Sequence, residues 1–188
     1  MIRLIAVLFA ALLAASPATA QSWKEYDYPQ YAFSVSFPAS PTVESRQYQT
    51  ADGSMVDARV YELTRDNFVL RMTVADLTAK KTDEETVIGH AVKTLKADGD
   101  IKVDIPHRIS RVYGRQLSIS GKDGRHSSVA VFYHQNRLYQ IEGVALPKGQ
   151  DGTADAIRFQ QSLSFTSNSG ALRSRLGPLL QTVSRVFQ

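Results

Sequence analysis

The fold class follows first from residues 127–146, which read SSVAVFYHQNRLYQIEGVAL. Two runs rich in β-branched and aromatic residues, 127–134 and 138–146, flank the short polar turn Gln135-Asn136. Such a pair of runs predicts an antiparallel hairpin. Residues 129–133 are apolar at successive positions, so we expect both faces of the sheet to be covered.

The same strand-like alternation recurs along the chain. Further strands are predicted at 31–37, 43–50, 55–63, 68–74, 101–109 and 112–120, and a last short one at 164–165. Asp52-Gly53 and Gly121–Gly124 are turn signals that join neighbouring strands as hairpins. Pro106 cannot donate a ladder hydrogen bond, so strand 101–109 is expected at a sheet edge or with a bulge.

Two segments change to helical spacing. Thr82 and Glu85 fit a capping box, and Val87, Ile88, Ala91, Val92 and Leu95 follow at helical intervals, which predicts a helix over 83–97. A second helix is predicted over 153–163. Hairpin-linked strands with two helices indicate an α+β fold: a mainly antiparallel sheet covered by helices. The predicted core includes Phe33, Val35, Leu70, Val92, Val131 and Ile141.

The first twenty residues have the composition of a secretory signal peptide. Arg3 precedes an apolar run from Leu4 to Ala15, and Ala18-Thr19-Ala20 forms a small-x-small cleavage site. Twelve apolar residues span about 18 Å as a helix, too short for a ~30 Å hydrocarbon core. We therefore expect cleavage near Ala20 and a periplasmic or secreted protein, with a single domain over 21–166 and a separate tail over 167–188.

Composition excludes several classes of function. There is no cysteine, so the chain has no disulfide, thiol nucleophile or lipid anchor attached through cysteine. Of the 22 Lys and Arg residues, four lie outside residues 21–165, which leaves 18 basic against 18 acidic residues in that body. A neutral body does not favour nucleic acid as a partner.

No residue pattern indicates a metal, a cofactor or a catalytic group. His126 and His134 lie eight residues apart on one predicted strand, about 26 Å from each other, while His90 and His107 have no ligand spacing; all four are interpreted as solvated or edge histidines. No Gly-x-Ser-x-Gly elbow occurs, and Ser127 and Ser128 beside His126 point to opposite faces of a strand. Asp83-Glu84-Glu85 suits the first turn of a helix.

Two clusters leave a binding and a structural interpretation open. Trp23, Tyr26, Tyr28 and Tyr31 could line a ligand groove, but packing at the sheet edge is the favoured interpretation. Five arginines lie in or beside the last strands and could form an anion patch, although nearby Asp residues favour a mixed-charge surface; they are Arg108, Arg111, Arg115, Arg125 and Arg137.

Several packing motifs together resemble the PsbP-like superfamily and uncharacterised exported proteins of proteobacteria. These are Tyr31-x-Phe33-x-Val35-x-Phe37-Pro38, the helix after the fourth strand, Arg137-Leu138-Tyr139-x-Ile141, and Ala156-x-x-Phe159-x-x-Ser162-Leu163-x-Phe165. The resemblance covers roughly residues 24–166 and implies an α/β/α sandwich. It implies no catalytic residues, and members of the superfamily mostly act by binding other proteins.

The sequence thus favours an exported, non-enzymatic binding or accessory domain whose partner is another envelope protein. The alternative is a small-molecule or lipid carrier with a pocket between sheet and helix, and a hydrolase is the least favoured interpretation. An apolar pocket would favour the carrier, and a His near an Asp and a Ser would favour the hydrolase.

The tail supplies the candidate interaction residues. After the polar linker 166–170, Gly177-Pro178 suits a helix start, and an apolar stripe follows that comprises Leu179, Leu180, Val183, Val186 and Phe187. Arg173, Arg175 and Arg185 are its only charged residues. A helix this short needs a surface to form against. That surface is the chain's own domain, a protein partner or an anionic membrane, and for a functional role the sequence favours a protein partner, with weak membrane contact as the other possibility.

Overall fold

The computed structural model describes residues 22–147 and 151–166. Ten strands are present: β1 Lys24–Tyr28, β2 Phe33–Phe37, β3 Thr42–Gln49, β4 Met55–Thr64, β5 Phe68–Asp76, β6 Asp100–Ile109, β7 Val112–Ser120, β8 His126–His134, β9 Arg137–Ala145 and β10 Ser164–Phe165. The described residues contain two α-helices, α1 Glu84–Leu95 and α2 Thr153–Gln160, with single turns of 3-10 helix at Pro29–Tyr31 and Lys96–Asp98.

The strands form two antiparallel sheets. The large sheet has the order β3-β4-β5-β9-β8-β7-β6, and the small sheet has the order β1-β2-β10. β7, β8 and β9 are joined by hairpins, as the sequence predicts. β6 is an edge strand, which confirms the expectation from Pro106, and its bulge lies between Ile101 and Val103.

Both faces of the large sheet are apolar and covered, as expected from residues 129–133. On one face, here the α1 face, Val129 and Val131 of β8 pack in a cluster with Ala91 and Leu95 of α1. On the opposite face, here the small-sheet face, Phe132 of β8 belongs to a cluster with the small sheet and α2. The α+β fold with a mainly antiparallel sheet and covering helices is therefore confirmed.

Two local predictions were wrong. The segment 31–37 is not one strand, because Ala32 adopts a left-handed conformation (φ 53°) after the 3-10 turn and β2 begins at Phe33. The helix cap is Asp83 and not Thr82: the Asp83 carboxylate accepts a hydrogen bond from the backbone N–H of Thr86 at 2.8 Å. Both acids that follow, Glu84 and Glu85, lie in the first helical turn, where the helix dipole favours them.

The predicted core is confirmed at five of its six positions. Phe33, Val35, Leu70, Val131 and Ile141 are fully buried. Val92 is only half-buried. Val92 lies beside the buried residues of α1, which are Val87, Ile88, Ala91 and Leu95. It faces an open groove between α1 and the strands β6 and β7, and its side chain therefore stays partly exposed.

Gln160 at the end of α2 is buried with an unsatisfied amide. The residue is 1% exposed, and neither Oε1 nor Nε2 has a hydrogen-bond partner in the described part of the chain. An unpaired buried polar group costs roughly 1–3 kcal/mol. Replacing Gln160 by Met, which has a similar length and no hydrogen-bonding amide, is expected to increase the free energy of unfolding by about that amount. Urea unfolding measures the change, and a Gln160→Met variant that is less stable than wild type would contradict it.

The predicted signal peptide, residues 1–20, and the predicted tail, residues 167–188, lie outside the described residues. The division of the chain at Ala20 and Thr166 stays a prediction. Within 22–147 and 151–166, no helix has the length and apolar character needed to cross a membrane.

Candidate functional site

A groove lies between α1 and the strands β6 and β7, and it is here called the helix groove. Its volume is about 620 Å³. Ile88 and Val92 line the helix side, while Pro106 and Tyr113 line the sheet side. Tyr113 is 59% exposed, an unusually open position for a large aromatic residue. The groove therefore offers apolar contact surface that is open to solvent.

Charged side chains border the helix groove at both ends of α1. Glu84 and Glu85 lie at the N-terminal end of the helix, and Lys93 and Lys96 lie at its C-terminal end. Across the groove Arg115 donates to Asp104 at 2.9 Å and forms an ion pair with it. The helix side thus presents negative charge at one end and positive charge at the other, a pattern that can orient a bound segment.

A smaller cleft of about 230 Å³ lies between the β3–β4 hairpin and the start of α1, here called the hairpin cleft. Tyr48 lines it, and its buried hydroxyl has no hydrogen-bond partner in the described structure. Burial raises the pKa of Tyr48 to about 12, so its hydroxyl stays protonated at neutral pH. His90 stands edge-on to the Tyr48 ring and donates from Nε2 to the carbonyl of Gln49 at 2.9 Å.

A third cleft of about 180 Å³ lies on the α1 face beyond the end of α1. Arg71 bridges two carboxylates there, Glu62 at 2.7 Å and Glu142 at 3.2 Å. Glu142 is 8% exposed. Burial raises the pKa of its carboxyl above the ordinary value of 4.5, although Arg71 acts in the opposite direction. No sequence pattern predicts this cluster, because its members come from three separate strands.

Glu142 makes stability depend on pH. Because its pKa is higher in the folded state, the folded chain binds more protons than the unfolded chain, and stability falls as pH rises from 4.5 through the folded pKa. We expect Glu142→Gln to become more favourable relative to wild type as pH increases from 4.5 to 8. Urea unfolding of both chains across this range measures the difference.

The matched control for Glu142→Gln is Glu44→Gln, whose side chain is 54% exposed on β3. The pH dependence of the Glu142→Gln effect is measured as its difference from the Glu44→Gln effect at each pH. A Glu142→Gln effect of the same size at every pH would show that the buried carboxyl does not titrate as described.

Three of the four histidines are half-buried against aromatic rings and are not fully solvated, while His107 lies on the edge strand β6, which agrees with the interpretation as solvated or edge histidines. His107 lies 5.7 Å from the Phe132 ring and His134 lies 5.2 Å from the Phe165 ring. Burial lowers the pKa of both. Among the described residues, no group of three His, Asp or Glu side chains is placed to hold a metal ion.

His126 is the one histidine beside a serine. Its Nδ1 lies 3.3 Å from Oγ of Ser120 on the paired strand, and the contact is exposed. Hydrogen bonds from Thr153 lower the pKa of Asp151, with a lesser contribution from His126, and the Asp151 carboxylate accepts from the backbone N–H of Thr153. The neighbours Ser127 and Ser128 make no such contact with His126 in the described structure. Within residues 22–147 and 151–166, no carboxylate is hydrogen-bonded to the His126 imidazole as the acid of a catalytic triad is.

Two of the five arginines are paired with carboxylates in the described structure, as the mixed-charge interpretation expects. Arg125 pairs with Asp123 at 2.9 Å, and Arg115 pairs with Asp104. Arg108 and Arg137 lie over the rings of Tyr113 and Tyr31.

The aromatic cluster at the start of the chain packs the small sheet, as favoured from the sequence. Tyr28 stacks on Phe33 and contacts Tyr61 of the large sheet, with ring centroids 4.9 Å and 4.2 Å away. Tyr26 contacts Phe37, and Arg158 of α2 lies over the Trp23 ring. β1, which carries these residues, was not predicted as a strand.

The candidate interaction residues of the tail lie outside the described residues, so their role stays a prediction. The helix groove was not found from the sequence. Val92 was predicted to be core, Ile88 was noted only for its helical spacing, and Tyr113 had no distinguishing pattern around it. Only the relative placement of α1 and β6 creates this surface.

The fold places the chain among proteins with a PsbP-like architecture. It is similar to the solution structure of cyanobacterial PsbP (CyanoP) from Synechocystis sp. PCC 6803, with a TM-score of 0.51 and 13% sequence identity, over 81% of this chain and 97% of that chain. No protein-family model matches the sequence. No curated protein matches it either. The similarity confirms the PsbP-like fold expected from the packing motifs.

Proposed function

We propose that this chain is an exported, non-enzymatic domain that binds another protein of the cell envelope, and that the helix groove is the binding surface. The observation that carries the proposal is the exposed apolar side of the groove. Tyr113 is 59% exposed beside the half-buried Val92. Exposed aromatic residues next to an apolar depression are typical of protein–protein contact sites.

The shape and charge of the helix groove favour an extended or helical peptide segment as its occupant. The groove runs beside α1, which at twelve residues is about 18 Å long. Glu84 and Glu85 at one end would attract basic side chains, and Lys93 and Lys96 at the other end would attract acidic ones. A partner segment with an apolar centre and opposite charges at its two ends complements this arrangement.

The experiment compares two single substitutions in the mature chain. Tyr113→Ala removes the exposed ring in the groove, and Met55→Ala removes an equally exposed side chain (54%) on β4, away from the groove. Each chain is immobilised and incubated with an envelope extract of its own organism. We expect a discrete protein that wild type and Met55→Ala retain and Tyr113→Ala loses. Equal retention by all three chains, or no retained protein, would contradict the proposal.

Export rests on the predicted signal peptide and has its own test. The apolar run after Arg3 and the Ala18-Thr19-Ala20 site support cleavage after Ala20. N-terminal sequencing of the chain isolated from its native cells is expected to begin at Gln21. A membrane-bound chain that still carries Arg3 would contradict export by this route.

The hairpin cleft supports the second candidate function, a small-molecule carrier. Its volume of about 230 Å³ and the unpaired hydroxyl of Tyr48 suit a small ligand with a hydrogen-bond acceptor. Extraction of the purified chain followed by mass spectrometry tests this function. A stoichiometric small molecule that Tyr48→Phe loses would favour the carrier over the protein-binding domain.

A further inference from the structure

The second layer over the large sheet stops before it reaches the edge at β6. β1 lies over β4, because the rings of Tyr28 and Tyr61 are 4.2 Å apart. β10 lies over β8 and β9, because Phe165 contacts Phe132 at 5.5 Å and Tyr139 at 5.0 Å. The small sheet thus crosses the large one from β4 towards β8, and β10 is the last strand of that layer.

The surface left open next to β10 is apolar along β6. Val103 is 40% exposed and Ile105 is 48% exposed. Ile105 is paired with Gln116 of β7, which is paired with Ala130 of β8. Directly paired residues share a face of a sheet, so Ile105 and the buried Ala130 lie on the same face. Val103 and Ile105 are therefore an uncovered continuation of the small-sheet face.

The chain leaves the fold beside this surface. The backbone N–H of Thr166 donates to the carbonyl of Ala32 at 3.0 Å, which fixes the end of β10. β6 is two strands away from β8, a distance of about 10 Å. Residues 167–177, fully extended, span at most ~40 Å. The stripe that follows can reach β6 without strain.

We propose that residues 178–188 dock on their own domain, on the small-sheet face of β6 and β7, and cover Val103 and Ile105. An amphipathic helix of these eleven residues is about 16 Å long, and β6 from Val103 to His107 is about 13 Å long. The tether places the stripe at an effective concentration in the millimolar range, which favours this surface over a separate partner. The proposal does not depend on the helix groove, which lies on the opposite face.

Engineered cysteines test the proposal directly, because the natural chain has none. Ile105→Cys is combined with Val183→Cys, which lies in the stripe, or with Gln181→Cys, which lies on the opposite side of the same helix. Both pairs have nearly the same tether. Under mild oxidation at low protein concentration, we expect an intramolecular disulfide in the Val183→Cys chain and much slower formation in the Gln181→Cys chain, since a disulfide needs Cα atoms about 4.4–6.8 Å apart.

Three outcomes would overturn the proposal. Equal rates of disulfide formation in the Val183→Cys and Gln181→Cys chains would show that the tail meets β6 without presenting one particular side of its helix. An intermolecular disulfide would assign the surface to a second copy of the chain. Binding to phosphatidylglycerol vesicles by the Val183→Cys chain, with no intramolecular disulfide, would assign the stripe to a membrane.

A labelling experiment gives an independent measurement that needs no disulfide. The maleimide reaction of Ile105→Cys is compared in the otherwise natural chain and in a chain that also carries Val183→Asp and Val186→Asp. Docking should slow the maleimide reaction roughly tenfold in the chain with the natural stripe, which corresponds to about 1.4 kcal/mol of docking free energy. Val43→Cys, 52% exposed on the far edge strand β3, should react equally in both backgrounds. Equal rates at Ile105→Cys would overturn the proposal.

Discussion

Replacing Leu70 or Ile141 by alanine should each lower the free energy of unfolding by about 2–5 kcal/mol, because both side chains are fully buried on the small-sheet face. Each substitution removes apolar contacts between the two layers and leaves a cavity that the packed surroundings fill only in part. The chain has no disulfide to limit the loss, and domains are commonly stable by only about 5–15 kcal/mol. Urea or thermal unfolding measures the change.

Val43→Ala is the control for these core substitutions. It shortens an apolar side chain that is 52% exposed on β3 and should change stability by less than about 0.5 kcal/mol. Leu70→Ala and Ile141→Ala chains that unfold at the wild-type midpoint would show that the two layers do not pack as described.

Adding one methyl group at Gly143 should destabilise the fold by about 1–3 kcal/mol or more. Gly143 lies on β9 where α2 crosses it, and a Cβ there would stand 2.2 Å from the carbonyl oxygen of Ala156 and 2.6 Å from its Cα. Both contacts are with backbone, so α2 has to move away from the sheet. Gly143→Ala is therefore expected to separate the helix from the sheet, and chemical denaturation measures the loss.

The same change at Gly89 should have the opposite sign. Gly89 lies within α1, is exposed, and has no described atom outside its neighbouring helix backbone within 4 Å of the position of an added Cβ. Alanine there reduces the backbone entropy lost on folding, and the gain is up to about 1 kcal/mol. If Gly143→Ala and Gly89→Ala had equal effects, the close approach of α2 to β9 would be wrong.

Alternation along single strands was enough to predict most of the fold. Residues 127–146 gave the hairpin of β8 and β9, and the apolar run in β8 indicated that both faces are covered. Pro106 predicted that β6 lies at a sheet edge, because proline has no backbone N–H to donate to a neighbouring strand. This property belongs to the residue itself and is visible in the sequence. Asp83, and not Thr82, is the N-cap residue of α1. Both side chains can accept a hydrogen bond from the first turn of a helix, so sequence spacing alone does not distinguish the two residues.

The helix groove and the small sheet could not be predicted from the alternation of residues along single strands. β1 was missed because its tyrosines alternate with charged residues and it pairs only with β2. The small sheet, the helix groove and the Arg71–Glu142 pair each depend on how distant segments are placed together. Val92 shows the difference: its helical spacing is correct, and its burial depends on how far β6 and β7 stand from α1.

A photo-crosslinking side chain placed in the helix groove detects the binding of an envelope protein there inside the cell. A benzophenone amino acid replaces Tyr113 in one chain and Met55 in another, and each chain is exported and irradiated in its native cells. We predict a cross-linked product of one defined mass from position 113, with a partner identified by mass spectrometry, and none of that mass from position 55. No cross-link at position 113, or the same product from both positions, would contradict the account.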